Sequence, residues 1–232
     1  MTTLILARHG LTHLTGPVLA GRTPGVALND AGRAQAKGLA ARLAQVPLAA
    51  VVSSPLDRCV QTAAAVAEER RAEVVTDDRF GECDYGEWTG RPIAELAREP
   101  LWQVVQAHPS AAAFPGGEAL AAVQARAVAA VREWNARFGP EEAYLVCSHG
   151  DVIKAIVADA LGLHLDQFQR ITADPASVTV IRYTPLRPFL LRLNDVGGDV
   201  VRLPSAEGSE SADGAVNLTG SDAAVGGGAG TT

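Results

Sequence analysis

The sequence predicts an α/β fold, a three-layer α/β/α sandwich with a mostly parallel central sheet. Short apolar runs alternate with longer stretches of helical periodicity between residues 4 and 193. This alternation is typical of parallel strands that are covered by helices on both faces. With 232 residues, of which 47% are hydrophobic, the chain is also long enough to bury a core without disulfides or a structural metal.

The elements can be read off in order. Strands are predicted at 4–7, 50–53, 73–76, 143–147 and 177–183, with a further candidate at 188–193. Helices are predicted at 30–44, 55–70, 118–138 and 152–163. Asn29 is the predicted cap of the first helix, and Ser54 is the predicted cap of the second, with Pro55 in its first turn.

One domain is predicted over residues 1–203. Within it, residues 84–117 are less regular and richer in Pro, Gly and Trp, which indicates an excursion over the carboxyl ends of the strands, where such sheets bind ligands. Gly, Ala and Ser dominate residues 204–232 without apolar periodicity, so this stretch is predicted to be a disordered tail.

The net charge and the composition argue against several classes of binding partner and location. A net charge of −6 argues against nucleic acid and against a membrane surface, since both favour a basic face. The N-terminal apolar run is too short for a signal peptide, and no run approaches the roughly 18 residues of a membrane span. A cytoplasmic protein is therefore predicted. Its three cysteines are odd in number and fit neither a disulfide framework nor a zinc module.

Two histidines stand where apolar strands end. His9 follows the first strand and His149 follows the fourth, and in a parallel sheet both ends lie at one edge. The glycine after each, Gly10 or Gly150, lets the backbone turn and a ligand approach closely, so Gly150 is a predicted substrate-binding residue. Asp151 is predicted to cap the helix that follows, with contact to a substrate hydroxyl or orientation of His149 as the alternatives.

Two arginines and a carboxylic acid are expected at the same edge. Arg8 precedes His9, and Arg58 lies in the first turn after the second strand. Guanidinium groups bind phosphate through planar, paired hydrogen bonds, so two Arg and two His suit a phosphoryl group. Glu82 follows the third strand and is the candidate general acid, which requires a raised pKa to donate a proton near neutral pH.

Other chemistries fit less well. A metal site is the main competing use of these side chains, but two nearby arginines would repel a divalent cation. Cysteine phosphatases need Arg six residues after the nucleophile, and those positions hold Ala65, Thr89 and Ile153. The chain also lacks a Gly-x-x-x-x-Gly-Lys loop and a Gly-x-Ser-x-Gly elbow.

Together these segments resemble the histidine phosphatase superfamily, which has the phosphoglycerate mutase-like fold. The resemblance covers about residues 3–183. It rests on motifs that occur in the family's order, namely Arg8-His9-Gly10, LNDAGRAQA at 28–36, SSPLDRCVQTA at 53–63, GECDYGEW at 81–88, PGGE at 115–118 and Ser148-His149-Gly150.

The resemblance implies a mechanism without metal or cofactor. It implies that His9 attacks phosphorus and becomes a phosphohistidine. Arg8, Arg58 and His149 would bind the phosphoryl oxygens, and Glu82 would protonate the leaving alcohol and then accept a proton from the hydrolytic water. Hydrolysis of a small phosphorylated metabolite is the resulting prediction.

Two positions depart from the family's pattern. Leu11 stands where many relatives carry Glu or Gln, and Thr15 where many carry a phosphate-binding Asn. Thr15 can still donate one hydrogen bond, and Arg22 is the alternative group for that contact. A phosphomutase and a phospholigand-binding protein with little turnover stay open as alternatives, as do the physiological substrate and a homodimer.

Overall fold

A computed structural model describes residues 1–198 and 225–228 of the chain. Six strands form one sheet in the order β3-β2-β4-β1-β5-β6. The strands are β1 (Thr2–Arg8), β2 (Ala50–Ser53), β3 (Val74–Thr76), β4 (Ala143–Ser148), β5 (Val178–Tyr183) and β6 (Pro188–Asp195). The four strands β3, β2, β4 and β1 run parallel, whereas β5 and β6 are antiparallel to their neighbours. The predicted mostly parallel sheet is confirmed.

Helices cover both faces of this sheet. They are α1 (Asp30–Leu43), α2 (Asp57–Glu68), α3 (Ile93–Leu96), α4 (Pro100–Ala107), α5 (Leu120–Asn135) and α6 (Gly150–Ala160). All four predicted helices are present, although each is shorter than predicted. The short helices α3 and α4 lie inside the predicted excursion, and several 3₁₀ turns complete the connections.

Alternating side chains of β1 divide the core into two layers. Leu4 and Leu6 pack in one cluster with apolar residues of α5 and α6, whereas Ile5 and Ala7 pack in another with residues of α1 and α2. A strand buried on both faces is expected at the centre of a parallel sheet. Consequently β1 and its parallel neighbour β4 carry their C-terminal residues into the middle of the molecule.

Of the three helix-capping predictions, one is confirmed and two are wrong. Asn29 caps α1, since its side chain accepts a hydrogen bond from the Gly32 amide at 2.8 Å. The prediction for Ser54 is wrong: α2 begins at Asp57, and the Ser54 hydroxyl hydrogen-bonds to His149. The prediction for Asp151 is also wrong, because its carboxylate is buried and makes no capping bond.

No helix among the described residues is long and apolar enough to cross a membrane. The predicted tail, residues 204–232, lies outside the described residues except at its 225–228 stretch. There the chain forms a 3₁₀ turn, Val225–Gly227, against the end of the sheet that carries His9.

Candidate active site

The two histidines meet at the carboxyl edge of the sheet, as predicted. Arg8 and Ser148 pair across β1 and β4, so the residues that follow, His9 and His149, leave the sheet side by side. Their ring centroids are 5.3 Å apart, with the planes inclined at 61°. Both side chains are buried, His9 being 5% exposed and His149 fully covered.

Hydrogen bonds fix the proton on His9. Its Nδ1 lies 2.7 Å from the carbonyl oxygen of Gly10, and because a carbonyl only accepts, Nδ1 must carry the hydrogen. The other nitrogen, Nε2, therefore keeps a lone pair and accepts from Arg58 Nε at 3.3 Å. Burial and the positive charges of Arg58 and Arg8 hold the pKa of His9 well below its usual value. A neutral imidazole with Nε2 available is the nucleophilic form.

Arg58 links the two histidines. Its Nη2 donates to the Gly21 carbonyl at 2.7 Å and to His149 Nδ1 at 3.2 Å. Since Nδ1 of His149 accepts, its Nε2 carries the hydrogen and donates to Ser54 Oγ at 2.7 Å. Among the described residues, the buried Nη1 of Arg58 has no hydrogen-bond partner. This donor is free to bind a ligand oxygen or a water molecule.

Glu82 faces the histidines from the segment after β3. Its Oε2 lies 3.8 Å from His149 Nδ1, and its Oε1 accepts from the Cys83 amide at 2.9 Å. Burial, followed by the negative charge of Asp151, raises its pKa to about 7. A carboxylic acid that keeps its proton close to neutral pH has the property required of a general acid.

One small pocket collects most of the predicted site residues. It is lined by Arg8, His9, Thr15, Arg58 and Glu82. Further lining comes from the segment after β1, from the excursion and from the C-terminal turn, at Thr12, Gly16, Val18, Leu19, Ala20, Gly21, Tyr85, Ile93, Val225, Gly226 and Gly228.

Two predicted substrate-binding residues lie outside this lining. Gly150 is buried as the first residue of α6, behind His149. Arg22 contacts two acidic residues: its Nη2 lies 3.0 Å from the Glu118 carboxylate, and its Nε donates to the Glu82 carbonyl oxygen at 2.8 Å. Arg22 thus braces the backbone of Glu82, and its contact with phosphate stays a prediction.

Two residues that contact the site, Ser54 and Tyr85, were not predicted from the sequence in these roles. Ser54, predicted as a helix cap, is the hydrogen-bond partner of His149. Tyr85 lines the pocket and donates to the buried Asp151 at 2.7 Å, a contact that no local spacing signals. Within the described part of the chain, no group of three or more His, Cys, Asp or Glu side chains is arranged to hold a metal ion.

Comparison with known sequences agrees with this geometry. A sequence model of the histidine phosphatase superfamily (branch 1) matches residues 4–196. The chain is 34% identical over 200 residues to phosphoserine phosphatase 1 of Hydrogenobacter thermophilus, covering 84% of this chain and 92% of the relative. It is 31% identical over 174 residues to a glucosyl-3-phosphoglycerate phosphatase of Mycolicibacterium vanbaalenii, covering 71% and 76% respectively.

Comparison with solved structures finds proteins of the same fold. Bacillus stearothermophilus YhfR superposes with a TM-score of 0.76 at 30% sequence identity, covering 85% of this chain and 98% of that one.

Proposed function

Because the chain belongs to the histidine phosphatase superfamily, branch 1, we propose that it is a metal-independent phosphomonoesterase. In this proposal it hydrolyses a small phosphorylated metabolite through a phosphohistidine on His9. The observation that carries the proposal is the state of His9, a buried neutral imidazole whose Nε2 lone pair lies 3.3 Å from the Arg58 guanidinium. Two relatives are named as phosphatases of phosphoserine and of glucosyl-3-phosphoglycerate, which supports a small phosphate ester as the substrate.

In the first step, Nε2 of His9 forms a bond to phosphorus while the bond from phosphorus to the ester oxygen breaks. The Gly10 carbonyl oxygen holds Nδ1 at 2.7 Å, so the ring presents Nε2 throughout and can share the charge it gains. The leaving oxygen takes the proton of Glu82, whose raised pKa of about 7 keeps that proton available.

The phosphoryl oxygens bind to the cationic side of the pocket. Arg58 Nη1, which has no partner among the described residues, and the neighbouring Arg8 supply donors for them. His149 supports Arg58 through its contact at 3.2 Å and completes the group. Donors that are already oriented stabilise the charge of the in-line transition state without reorganising.

In the second step, water attacks phosphorus and the bond to Nε2 breaks. The Glu82 carboxylate, deprotonated in the first step, takes the proton of that water and is restored. Phosphate and the alcohol are the products, and His9 returns to its neutral form.

The test is turnover of a panel of phosphomonoesters in the presence of a chelator. We expect phosphate release that persists in chelator and is lost in His9→Ala. The matched control is His108→Ala, which removes an imidazole that is 72% exposed and is not part of the pocket lining, and it should retain activity. Activity that disappears in chelator, or that survives in His9→Ala, would contradict the proposal.

The same panel separates the alternatives. A phosphomutase would convert the ester into an isomeric ester, without stoichiometric phosphate release, when a bisphosphate activator is supplied. A phospholigand-binding protein would be stabilised by the ligand and show no turnover.

A further inference from the structure

The general acid of the proposed mechanism, Glu82, lies on an irregular segment. After β3 the chain forms a 3₁₀ turn, Asp78–Phe80, and then follows no regular secondary structure through Tyr85. Segments of this kind are more mobile than helices and strands. A general acid must nevertheless stay within reach of the leaving oxygen, and a displacement of about 1 Å can cost roughly 10²-fold in rate. Contacts from outside the segment are therefore needed to keep Glu82 in place.

Arg126, on α5, makes such contacts with the backbone around Glu82. Its Nη2 donates to the Glu82 carbonyl oxygen at 3.1 Å, and its Nη1 donates to the Arg79 carbonyl oxygen at 2.6 Å. Its Nε and Nη2 also donate to the two carboxylate oxygens of Glu118, at 2.9 and 3.1 Å. One planar guanidinium group thus joins two backbone positions of the segment to a paired carboxylate.

Glu118 connects this arginine to the far end of the segment. Its Oε2 accepts from the Asp84 amide at 2.9 Å, and its own amide donates to the Asp84 carbonyl oxygen at 2.8 Å. Burial would raise the pKa of Glu118, but hydrogen bonds from Arg126 and from the Asp84 amide lower it, so the carboxylate stays ionised near neutral pH. Glu118 therefore fixes both the direction of the Arg126 guanidinium and the position of Asp84.

Arg22 is the third member of this group of side chains, and we call Arg126, Glu118 and Arg22 together the Glu82 clamp. Arg22 Nε donates to the Glu82 carbonyl oxygen at 2.8 Å, and its Nη2 donates to the Glu118 carboxylate at 3.0 Å. The Arg22 side chain is 40% exposed, whereas that of Arg126 is 18% exposed. Because solvent screens exposed ion pairs, we expect Arg126 to restrain the segment more strongly than Arg22 does.

The clamp contacts Glu82 from outside the pocket. Among the residues that the structure describes around the pocket, Glu82 belongs to the lining and the three side chains of the clamp do not. The Glu82 carboxyl group makes separate contacts, accepting from the Cys83 amide at 2.9 Å and lying 3.8 Å from His149 Nδ1. The backbone of the acid is thus held while its carboxyl group stays in the pocket.

We propose that Arg126 is a positioning residue for the general acid. Through its hydrogen bonds to the segment 79–84, and oriented by Glu118, it keeps the Glu82 carboxyl group aimed at the leaving oxygen. Arg126 acts on the backbone of the acid, so its loss should impair protonation of the leaving group and spare phosphate binding. The kinetic part of this inference rests on the proposed function, but the restraint of the segment can be measured without turnover.

The first experiment compares two leaving groups in Arg126→Met, with Arg132→Met as the matched control. Arg132 lies on the same helix, and its side chain is 73% exposed. For an alkyl phosphate we expect kcat to fall roughly 10–100-fold with KM changed by less than about twofold, because a displaced acid protonates the leaving oxygen poorly. An aryl phosphate with a good leaving group should lose less than about threefold, and the control should match the wild type on both esters.

Two kinetic results would overturn the proposal. Equal losses on the alkyl and the aryl ester would show that Arg126 supports the fold in general. A rise in KM without a fall in kcat would show that it serves substrate binding instead.

Arg126→Lys separates geometry from charge. The pKa of His149 is lowered by burial first and, among the cations around it, also by Arg126, so the charge at this position has an effect of its own. Lysine keeps the charge but lacks the planar fork that reaches two carbonyls and a carboxylate together. We expect Arg126→Lys to show the same selective loss as Arg126→Met. Wild-type activity in Arg126→Lys would mean that the charge alone suffices and would contradict the positioning role.

The second experiment follows the segment by hydrogen–deuterium exchange of the full-length proteins. The amides of Gly81 and Asp84 donate hydrogen bonds to Asp78 and Glu118 respectively. Their exchange therefore reports on local opening of the segment 79–84.

In Arg126→Met and Arg126→Lys, the peptide over 79–84 should exchange at least about threefold faster than in the wild type and in Arg132→Met. Peptides of β4 should exchange at the same rate in all four proteins. Exchange of 79–84 that rises no more than that of β4 would overturn the proposal, because the substitution would then have no local effect on the segment.

Failure of the clamp and failure of the proposed function are distinguishable. If the wild type hydrolyses no ester, the proposed function fails, and the exchange of 79–84 decides whether Arg126 restrains the segment. If the wild type hydrolyses both esters but Arg126→Met shows neither the selective loss nor the faster exchange, only the positioning role is overturned.

Discussion

His9 and Glu82 lie in one buried site that moves their protonation equilibria in opposite directions. The pKa of His9 is lowered by burial and by Arg58 and Arg8, whereas burial and Asp151 raise the pKa of Glu82 to about 7. A neutral nucleophile and a protonated acid can therefore coexist below about pH 7. With the pKa values these groups have in water, mildly acidic pH would give the opposite combination, a charged imidazole and an ionised carboxylate.

The first prediction concerns the pH dependence. For an alkyl phosphate, kcat/KM should fall as pH rises through about 7, because Glu82 then loses the proton that the leaving oxygen needs. Toward acid the rate should hold to well below pH 6.5, since the pKa of His9 is lowered. The measurement is a pH profile of kcat/KM, and a rate that climbs steadily through pH 7 to 8 would contradict the assignment.

The second prediction separates the acid from the nucleophile. Glu82→Gln keeps the size of the side chain but has no acidic proton, so hydrolysis of an alkyl phosphate should drop by about 10²–10⁴-fold. An aryl phosphate with a good leaving group needs less protonation and should lose much less. Steady-state kinetics on both esters checks this, and equal losses on the two would argue against a general acid at this position.

Most side chains of the site could be predicted from the sequence, because each lies at or within a few residues of the C-terminal end of a predicted strand. Arg8, His9, Arg58 and Glu82 line one pocket, with His149 against Arg58. The sequence does not show that Glu118, 96 residues along the chain, pairs with Arg22. Contacts of that kind depend on the folded path of the excursion, which has no periodicity to read.

At the scale of elements, the loop after β1 is held against the first turn of α1. A Cβ on Gly32 would lie 2.0 Å from the Leu11 carbonyl oxygen, and one on Gly10 would lie 2.6 Å from the Gly32 carbonyl oxygen. The two backbones approach so closely that only glycine fits at either point. This contact fixes the loop that follows His9. In the same loop, the amide of Leu11 donates a hydrogen bond to the Gln35 side chain at 2.9 Å.

The third prediction compares two glycines of α1. Gly32→Ala should lower the free energy of unfolding by about 1–3 kcal/mol through overpacking against a backbone, and should reduce activity as the loop shifts. Gly38 has open space around the position of a Cβ, so Gly38→Ala should instead raise the free energy of unfolding by roughly 0.5–1 kcal/mol. Urea denaturation measures both, and a neutral Gly32→Ala would show that the contact is not rigid.

The types and order of the elements could be predicted, because hydrophobic periodicity and alternation depend on residues close in sequence. The ends of the helices were harder to predict. Ser54 has the residue type of a cap, yet His149 comes within 2.7 Å of its hydroxyl, and α2 starts three residues later. A hydrogen bond to a buried imidazole outweighs a cap whose amide donors can be satisfied in other ways.

At the scale of the whole molecule, the sheet brings cationic groups together in a chain whose net charge is −6. Arg8 and Arg58 are each 2% exposed, and the two histidines beside them have lowered pKa values. Burying like charges side by side is costly unless an anion compensates them. The carboxyl groups of Glu82, Asp151 and Asp174 lie close enough to Arg8 to offset part of this charge, and we expect a bound phosphate to offset more of it.

The fourth prediction follows from this expectation. Inorganic phosphate at 100 times its dissociation constant should stabilise the protein by about 2.7 kcal/mol, seen as a rise in melting temperature over chloride of equal ionic strength. Arg58→Ala should lose most of this rise, and Arg33→Ala, whose side chain is 57% exposed, should keep it. A rise equal in all three proteins would mean that phosphate binds elsewhere.

At this scale, one contact in the pocket could be predicted from the sequence and another could not. The alternation of strands and helices predicts that β1 and β4 run parallel and end at the same edge, so a meeting of His9 and His149 could be predicted; that the two strands are neighbours is shown by the structure. The return of Val225–Gly228 to the pocket could not. Its specific contacts use the backbone of Gly226, and a glycine-rich stretch carries no pattern that names its partner.

The central claim is that His9 carries the phosphoryl group during turnover. The most direct measurement is to mix the full-length enzyme with a phosphomonoester in chelator, denature it rapidly in base, and locate the phosphoryl group by peptide mass spectrometry. We expect a base-stable, acid-labile phosphohistidine on the peptide that contains His9, and none in the His9→Ala protein. Turnover without any phosphoenzyme, or a phosphoryl group on another residue, would contradict it.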